Sequence, residues 1–406
     1  MATFGTLQAL IQTLVRDGNT ATPVHIPGPP GIGKTAVPRA AAQALATEMG
    51  RTFVEVQAGV PFTGDIDDVF LFCNRDLTSE APEDLGGLPR TLDMSICGEP
   101  MIVTQKAVPL WAAPFCHPRA VGVLVLDDIN AASPAIHAAA RQTALFKRIG
   151  DGAIARGVQI CLTGNRREDK AGARPLPSHF INSICMMPLQ VNTQEWCAWL
   201  GQQPGIDPTV GSYIQFRPGK LTQTPADADD LGAFGTPRSW AKLATLLPTL
   251  AGLGDAVLMA AAAGLVGQGP AYEYRAFVKI RSQLVPPGAL LDVGDQPVAT
   301  LQGVLDPVTL DSPDKVHAFI SGLAEEAAKR SNEAGSLAAQ NAVARSFLRS
   351  LAHASAGNRE FMSSALMTFQ HNAREGRMST IISCIHSTGN SNDPLIQAVI
   401  HFFNNC

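Results

Sequence analysis

Gly28-Pro29-Pro30-Gly31-Ile32-Gly33-Lys34-Thr35 is the stretch that decides how this chain is read. It matches G-x-x-x-x-G-K-[ST] at every fixed position. Glycines let successive backbone N–H groups turn inward and form an anion nest. A helix that opens directly afterwards presents its positive end to the same anion. Lys34 is placed to reach the outer phosphates, and the Thr35 hydroxyl to ligate Mg²⁺. The spacing therefore predicts a cradle for the phosphates of ATP with its magnesium, built by all eight residues.

The flanks agree with that reading. Upstream, a helix over about Thr6 to Arg16 places Phe4, Leu7, Leu10, Ile11 and Leu14 at helical spacing, and Thr22 to Ile26 is a short apolar strand. Downstream, a helix is expected from Thr35 to about Met49, with Pro38 tolerated in its first turn. Thr52 to Gln57 reads as a second strand. Val121-Gly-Val-Leu-Val-Leu126 is a continuous apolar run of the kind buried on both sheet faces, and it ends in Asp127-Asp128. Ser133-Pro134 opens a helix to about Lys147. Val158 to Thr163 and Ile181 to Leu189 supply two more strands. Strands alternating with helices predict a parallel sheet covered on both faces.

Asp127 falls at the C-terminal edge of a buried strand, where open α/β sheets bind ligands. A carboxylate there is placed to hold Mg²⁺ through water. Residues 60–118 are dense in Gly, Pro and acidic residues, with isolated apolar groups, and read as inserted loops or a functional loop region rather than plain core. Ser133 and His137 have no nucleophile partner at catalytic spacing and read as cap and surface residues.

Bulk composition sets limits. The 406 residues are 46% hydrophobic and 16% charged, with a net charge of −4. That sum offers no global attraction to nucleic acid or to an anionic membrane. The eight cysteines form no C-x-x-C pair, and they read as reduced thiols rather than metal ligands. Met1 to Arg16 lacks the basic start and apolar run of a secretory leader. Asp255 to Gly267 is too short to span a bilayer.

The chain resembles the AAA+ ATPases, specifically their MoxR-like branch. The residues that carry this are Gly28 to Thr35, Leu124-Val-Leu-Asp-Asp-Ile-Asn130 and Leu162-Thr-Gly-Asn165. Two further segments, Asp84-Leu-Gly-Gly-Leu-Pro89 and Phe234-Gly-Thr-Pro-Arg-Ser-Trp240, look like a subgroup common in phage and bacterial genomes. The resemblance spans roughly residues 1–285. Residues 60–118 match the position where this branch carries extra loops facing a substrate or the ring pore, which makes Phe62, Phe70, Phe72 and Trp111 candidate outward contacts; local packing is the better reading for Trp111.

It implies a P-loop αβα core with a five-stranded parallel sheet over 1–190, and a helical lid over 191–285. Beyond these, a Pro/Gly-rich linker over 286–311 and a helical C-terminal domain over 312–406 are expected. It also implies a homo-oligomeric ring, usually a hexamer, with ATP between subunits and a protein substrate. An adaptor of the von Willebrand factor A type fits by analogy, in the cytoplasm of a bacterium or, for a phage protein, of its host. Asn165 takes the sensor-1 position near the γ-phosphate. Arg238 takes the sensor-2 position: Thr236-Pro237 looks like a helix start, where a cation is unfavourable unless a phosphate is near.

Two positions depart from the pattern. The usual Asp-Glu is Asp127-Asp128 here, so the general base, Asp128, is one methylene shorter and hydrolysis is expected to be slow. The expected Arg after sensor 1 is missing from Phe180-Ile-Asn-Ser183. Arg174 is the favoured substitute as the finger acting on a neighbouring subunit, with Arg148, Arg166 and Arg167 as other candidates. A slow or non-hydrolysing assembly switch, or a DNA-associated motor or loader, are the competing readings.

Overall fold

The computed structural model describes residues 2–166, 174–224, 232–306, 309–373, 376–387 and 393–404. They fall into two compact units, Met1–Asn192 and Thr193–Cys406.

The first unit contains α1 (Phe4–Arg16), β1 (Val24–Pro27), α2 (Ala36–Glu48), β2 (Thr52–Glu55) and β3 (Val69–Asp76). A short helix α3 (Pro82–Gly86) and a hairpin of β4 (Pro89–Ile96) and β5 (Glu99–Lys106) come next. Then come β6 (Val121–Asp127), α4 (Pro134–Phe146), the two-residue strands β7 (Arg148–Ile149) and β8 (Gly152–Ala153), β9 (Gly157–Gly164), α5 (Ser178–Ile181) and β10 (Cys185–Met186). The main sheet is wholly parallel in the order β10-β1-β9-β6-β3-β2.

Alternation along the central strands builds two cores. Phe70 and Phe72 of β3, Val123 and Val125 of β6, and Cys161 of β9 face α1 and α2, meeting Leu7, Ile11, Ala41 and Leu45. Their neighbours Leu71, Cys73, Leu124, Leu126, Ile160 and Leu162 face the other way, with Ile136, Ala140 and Ala144 of α4. A strand with helices on both sides has no polar face, which is why these runs read as continuously apolar. Gly122 lets β6 approach β3: a Cβ there would lie 2.3 Å from the Leu71 carbonyl oxygen.

The sheet has six strands rather than five. The extra one is β3, inside the stretch expected to be inserted loops. Phe70 and Phe72 are consequently core residues at 0% and 1% exposure, not outward contacts. Trp111 packs locally: it is buried, donates Nε1–H to the Asp84 carbonyl at 3.1 Å, and lies under the Arg75 guanidinium. Phe62 is half-buried against the same core.

The second unit is helical throughout its described residues. It holds α6 (Thr193–Gly201), α7 (Thr209–Phe216), α8 (Pro237–Leu250), α9 (Asp255–Val266) and α10 (Gln268–Gln283). These are followed by α11 (Pro287–Asp292), α12 (Val298–Val304), α13 (Pro313–Glu333), α14 (Leu337–Ala354), α15 (Arg359–Asn372), α16 (Arg377–Ser387) and α17 (Pro394–Asn404). The stretch 286–311 is not a spacer. Its Leu290, Leu291, Leu301, Leu305 and Leu310 are buried with Phe319, Leu323, Phe347 and Phe369 in one core. Prolines 286, 287 and 297 start helices there instead of keeping the chain extended. No described helix is long and apolar enough to cross a membrane.

Each unit buries a neutral histidine. Burial pushes both His25 and His317 down to about 4. Their folded pKa lies below the unfolded value of 6.5, so the stabilising effect is full above pH 6.5 and disappears as pH falls toward 4. The expected loss is about 2 kcal/mol per histidine between pH 7 and pH 5, from 1.36 kcal/mol per pKa unit. Urea midpoints at the two pH values check this; equal midpoints would show that neither ring stays neutral.

Candidate nucleotide site

Strand register assembles the site. β9 lies between β1 and β6, pairing Pro27 with Gly164 and Leu126 with Leu162. The residues that follow each strand therefore emerge together at the C-terminal edge: Gly28 onward, Asp127-Asp128 and Asn165. This is the edge at which open parallel sheets bind ligands.

The loop takes the shape its glycines allow. Gly31 and Gly33 have φ of 77° and 97°, in the left-handed region. A Cβ on Gly28 would come within 2.7 Å of the end of the Ile32 side chain, which would have to turn away to admit it. Pro29 and Pro30 stiffen the crossing. Thr35 precedes the 13-residue α2, whose positive end therefore points into the loop.

Lys34 is 7% exposed and donates three hydrogen bonds: to the Gly28 carbonyl at 2.9 Å, the Pro29 carbonyl at 2.9 Å, and Asn165 Oδ1 at 2.8 Å. Asn165 Nδ2 donates in turn to Asp128 Oδ1 at 3.1 Å. The asparagine amide is oriented by its neighbours, because an ammonium needs its oxygen and a carboxylate its nitrogen. A phosphate entering the loop competes with two carbonyls and this amide for the ammonium. Because it carries full negative charge, it makes the stronger hydrogen bond.

Asp127 accepts from Thr35 Oγ1 at 3.1 and 3.0 Å, from the Thr163 hydroxyl, from Asn74 Nδ2 at 3.4 Å, and from the Asp128 N–H at 3.2 Å. Thr35 and Asp127, the two expected magnesium residues, are thus in direct contact. Among the described residues no group of three or more His, Cys, Asp or Glu is placed to hold a metal ion by itself. A hydroxyl and one carboxylate still fit Mg²⁺, which keeps several waters and takes its remaining ligands from phosphate oxygens. Asn74 was not legible as a site residue because β3 itself went unrecognised. The signal was present, however: Val69-Phe-Leu-Phe-Cys73 is an unbroken apolar run.

Asp128 is half-buried with φ 51° and ψ 39°, a left-handed conformation uncommon for residues other than glycine. It turns its carboxylate to Asn165 and starts the 3₁₀ turn Ile129–Ala131. Arg174 is exposed, and its backbone is joined to Asn130. Of the other arginines, Arg148 is exposed and donates to the Asp151 carbonyl at 3.0 Å, Arg166 is half-buried, and Arg167 lies outside the described residues.

Arg238 belongs to the second unit. It is exposed on the first turn of α8, behind a capping box in which Thr236 Oγ1 accepts from the Ser239 N–H at 3.1 Å. The expected helix start is there; its cation has no carboxylate within ion-pair distance among the described residues.

Comparison with known proteins adds little. No family model matches the sequence, and no curated protein matches it. Solved structures align at low similarity. A RuvB variant from Thermotoga maritima aligns at 13% identity over 76% of this chain and 82% of that one, with a TM-score of 0.32. PCH-2 from C. elegans aligns at 13% identity over 67% and 69%, with a TM-score of 0.32. NtrX from Brucella abortus, in complex with ADP, aligns at 14% identity over 86% and 64%, with a TM-score of 0.33. Scores of this size carry no functional argument. What characterises the first unit is its own geometry: a parallel αβα sheet with a phosphate loop, two adjoining aspartates and a bridging asparagine at one edge.

Proposed function

We propose that the chain is a Mg²⁺-dependent ATPase of the AAA+ kind, MoxR-like, that works as a homo-oligomeric ring and remodels a protein partner. The observation that carries the ATPase reading is the chain of contacts Lys34–Asn165–Asp128 beside the Thr35–Asp127 pair. It supports the reading because Lys34, Asn165 and Asp128 follow one another along one edge, where a phosphate-binding cation, a polarising amide and a base are needed. The ring of six copies, the von Willebrand factor A-type adaptor and the cytoplasmic setting rest on the resemblance.

In this reading a water oxygen bonds to the γ-phosphorus while the bond to the β–γ bridging oxygen breaks. The electron pair leaves with ADP, and the water proton passes to the Asp128 carboxylate. Thr35, and Asp127 through water, would hold Mg²⁺, which would supply charge neutralisation on the phosphates. Lys34 binds the outer phosphates, and Asn165 orients the water. Arg174 of a neighbouring copy, and Arg238, meet the charge that develops on the γ-phosphate.

Asp128 is also what favours a second reading, a slow assembly switch. Its short side chain is engaged by Asn165, so it reaches less far toward the attacking water than a glutamate does. Asp128→Asn should lower kcat by about 10²–10⁴-fold, the usual worth of a general base, with ATP affinity unchanged. Asp128→Glu should raise kcat if reach is limiting. Phosphate release at saturating ATP reads both; a full rate in Asp128→Asn removes Asp128 from the chemistry. Electron microscopy with a slowly hydrolysed ATP analogue tests the ring.

A further inference from the structure

We propose that Asn130 is a positioning residue. It fixes Arg174 to the turn that follows Asp128, so that the state of a subunit's own nucleotide site sets where it offers that arginine to the next copy. This rests on the ring-ATPase reading above.

Three sets of contacts carry it. The first holds Arg174. Its N–H donates to the Asn130 carbonyl at 2.7 Å, and Asn130 Nδ2 donates to the Arg174 carbonyl at 3.0 Å. Two opposed bonds between the same two residues fix the orientation of the Arg174 backbone as well as its distance. Its guanidinium is left exposed, with no side-chain partner among the described residues.

The second set holds Asn130 itself. A Cβ on Gly164 would lie 1.8 Å from Asn130 Oδ1 and 3.2 Å from His25 Nε2. The asparagine therefore lies in space that only a glycine leaves, directly beside Asn165. Asn130 Oδ1 faces His25 Nε2 in this buried space, and the two side chains interact: the asparagine works against the lowering of the ring's pKa by burial. Asn130 is thus held from two sides, by the buried His25 ring and by the paired bonds to Arg174.

The third set links the turn to the site. Asn165 Nδ2 donates to Asp128 Oδ1, and the Asp128 carbonyl accepts from the Ala131 N–H at 2.9 Å. The chain leaving β9 is thus tied to the turn at Asp128 by Asn165 and at Asn130 by Arg174. Lys34 also binds Asn165. When a phosphate takes the Lys34 ammonium, Asn165 loses one of its two partners. The turn it shares with Asn130 responds, and Arg174 is carried on that turn.

The test is subunit mixing. Phosphate release and ATP affinity are measured for the wild-type full chain, Asn130→Ala, Asn130→Asp, Arg174→Ala and Thr35→Ala. Asn130→Ala alone should lose about 10–100-fold in kcat, the scale of an ångström-sized misplacement, with KM and ATP affinity within about twofold. The Asn130→Ala/Arg174→Ala double variant should be no slower than Arg174→Ala. Mixing Asn130→Ala with Thr35→Ala should restore turnover, because the second keeps the Lys34–Asn165 contact and supplies a well-placed Arg174 to the intact loop of the first. Mixing Asn130→Ala with Arg174→Ala should not.

Should Asn130→Ala fail to fold, Asn130→Asp decides, since it keeps the shape and removes the donor to the Arg174 carbonyl. Wild-type turnover with an unaltered kcat in the Asn130 variant, or with no restoration on mixing, overturns this inference alone. No turnover in wild type overturns the ATPase reading and this inference with it.

Discussion

Lys34→Ala is expected to lower kcat/KM for ATP by about 10²–10³-fold, the loss seen when one charge-stabilising donor leaves a preorganised site. The fold should survive the change. In the folded chain the ammonium is spent on the Gly28 and Pro29 carbonyls and on Asn165, not on holding a core together. Deleting it leaves those three oxygens at the mouth of the loop, where water can replace the missing donor. Phosphate release and calorimetric titration with Mg²⁺-ATP read the functional loss, and a urea midpoint close to that of wild type shows that it is not unfolding. A variant that turns over ATP at the normal rate would exclude the phosphate loop as the working site.

Phe70→Ala should have the largest effect on stability, about 3–5 kcal/mol, as for a phenylalanine removed from a tightly packed core. The side chain is fully buried between β3 and the layer formed by α1 and α2. Its strand pairs β2 on one side and β6 on the other. The cavity would therefore open beside the strand that carries Asp127. Urea unfolding followed by circular dichroism measures the shift. A change below about 1 kcal/mol would fit the outward, ligand-contacting role that the sequence suggested, since exposed substitutions are usually within about 0.5 kcal/mol.

The misreading of β3 has a physical origin. The run from Val69 to Cys73 is short, apolar and flanked by acidic residues and prolines. Sequence alone cannot distinguish such a run from loop residues packing locally. Only its parallel register between β2 and β6 shows that both faces are covered. The stretch 286–311 misled for the opposite reason: its Pro and Gly content suggested a spacer. Proline at the first turn of a helix is as comfortable as in a linker, and five leucines in that stretch find a core.

Spacing within the chain by itself determined the phosphate loop, the strand ending in Asp127-Asp128, the strand ending before Asn165, and the capped starts of α4 and α8. Each depends on residues a few positions apart, so local backbone preference is enough to specify it. Tertiary structure alone decided which donors reach Asp127, that Asn165 lies between Lys34 and Asp128, and that Asn130 holds Arg174. Those contacts join residues 36 to 131 positions apart. They exist because a parallel sheet brings the ends of non-consecutive strands to one edge, an arrangement that depends on strand order and register rather than on neighbours in sequence.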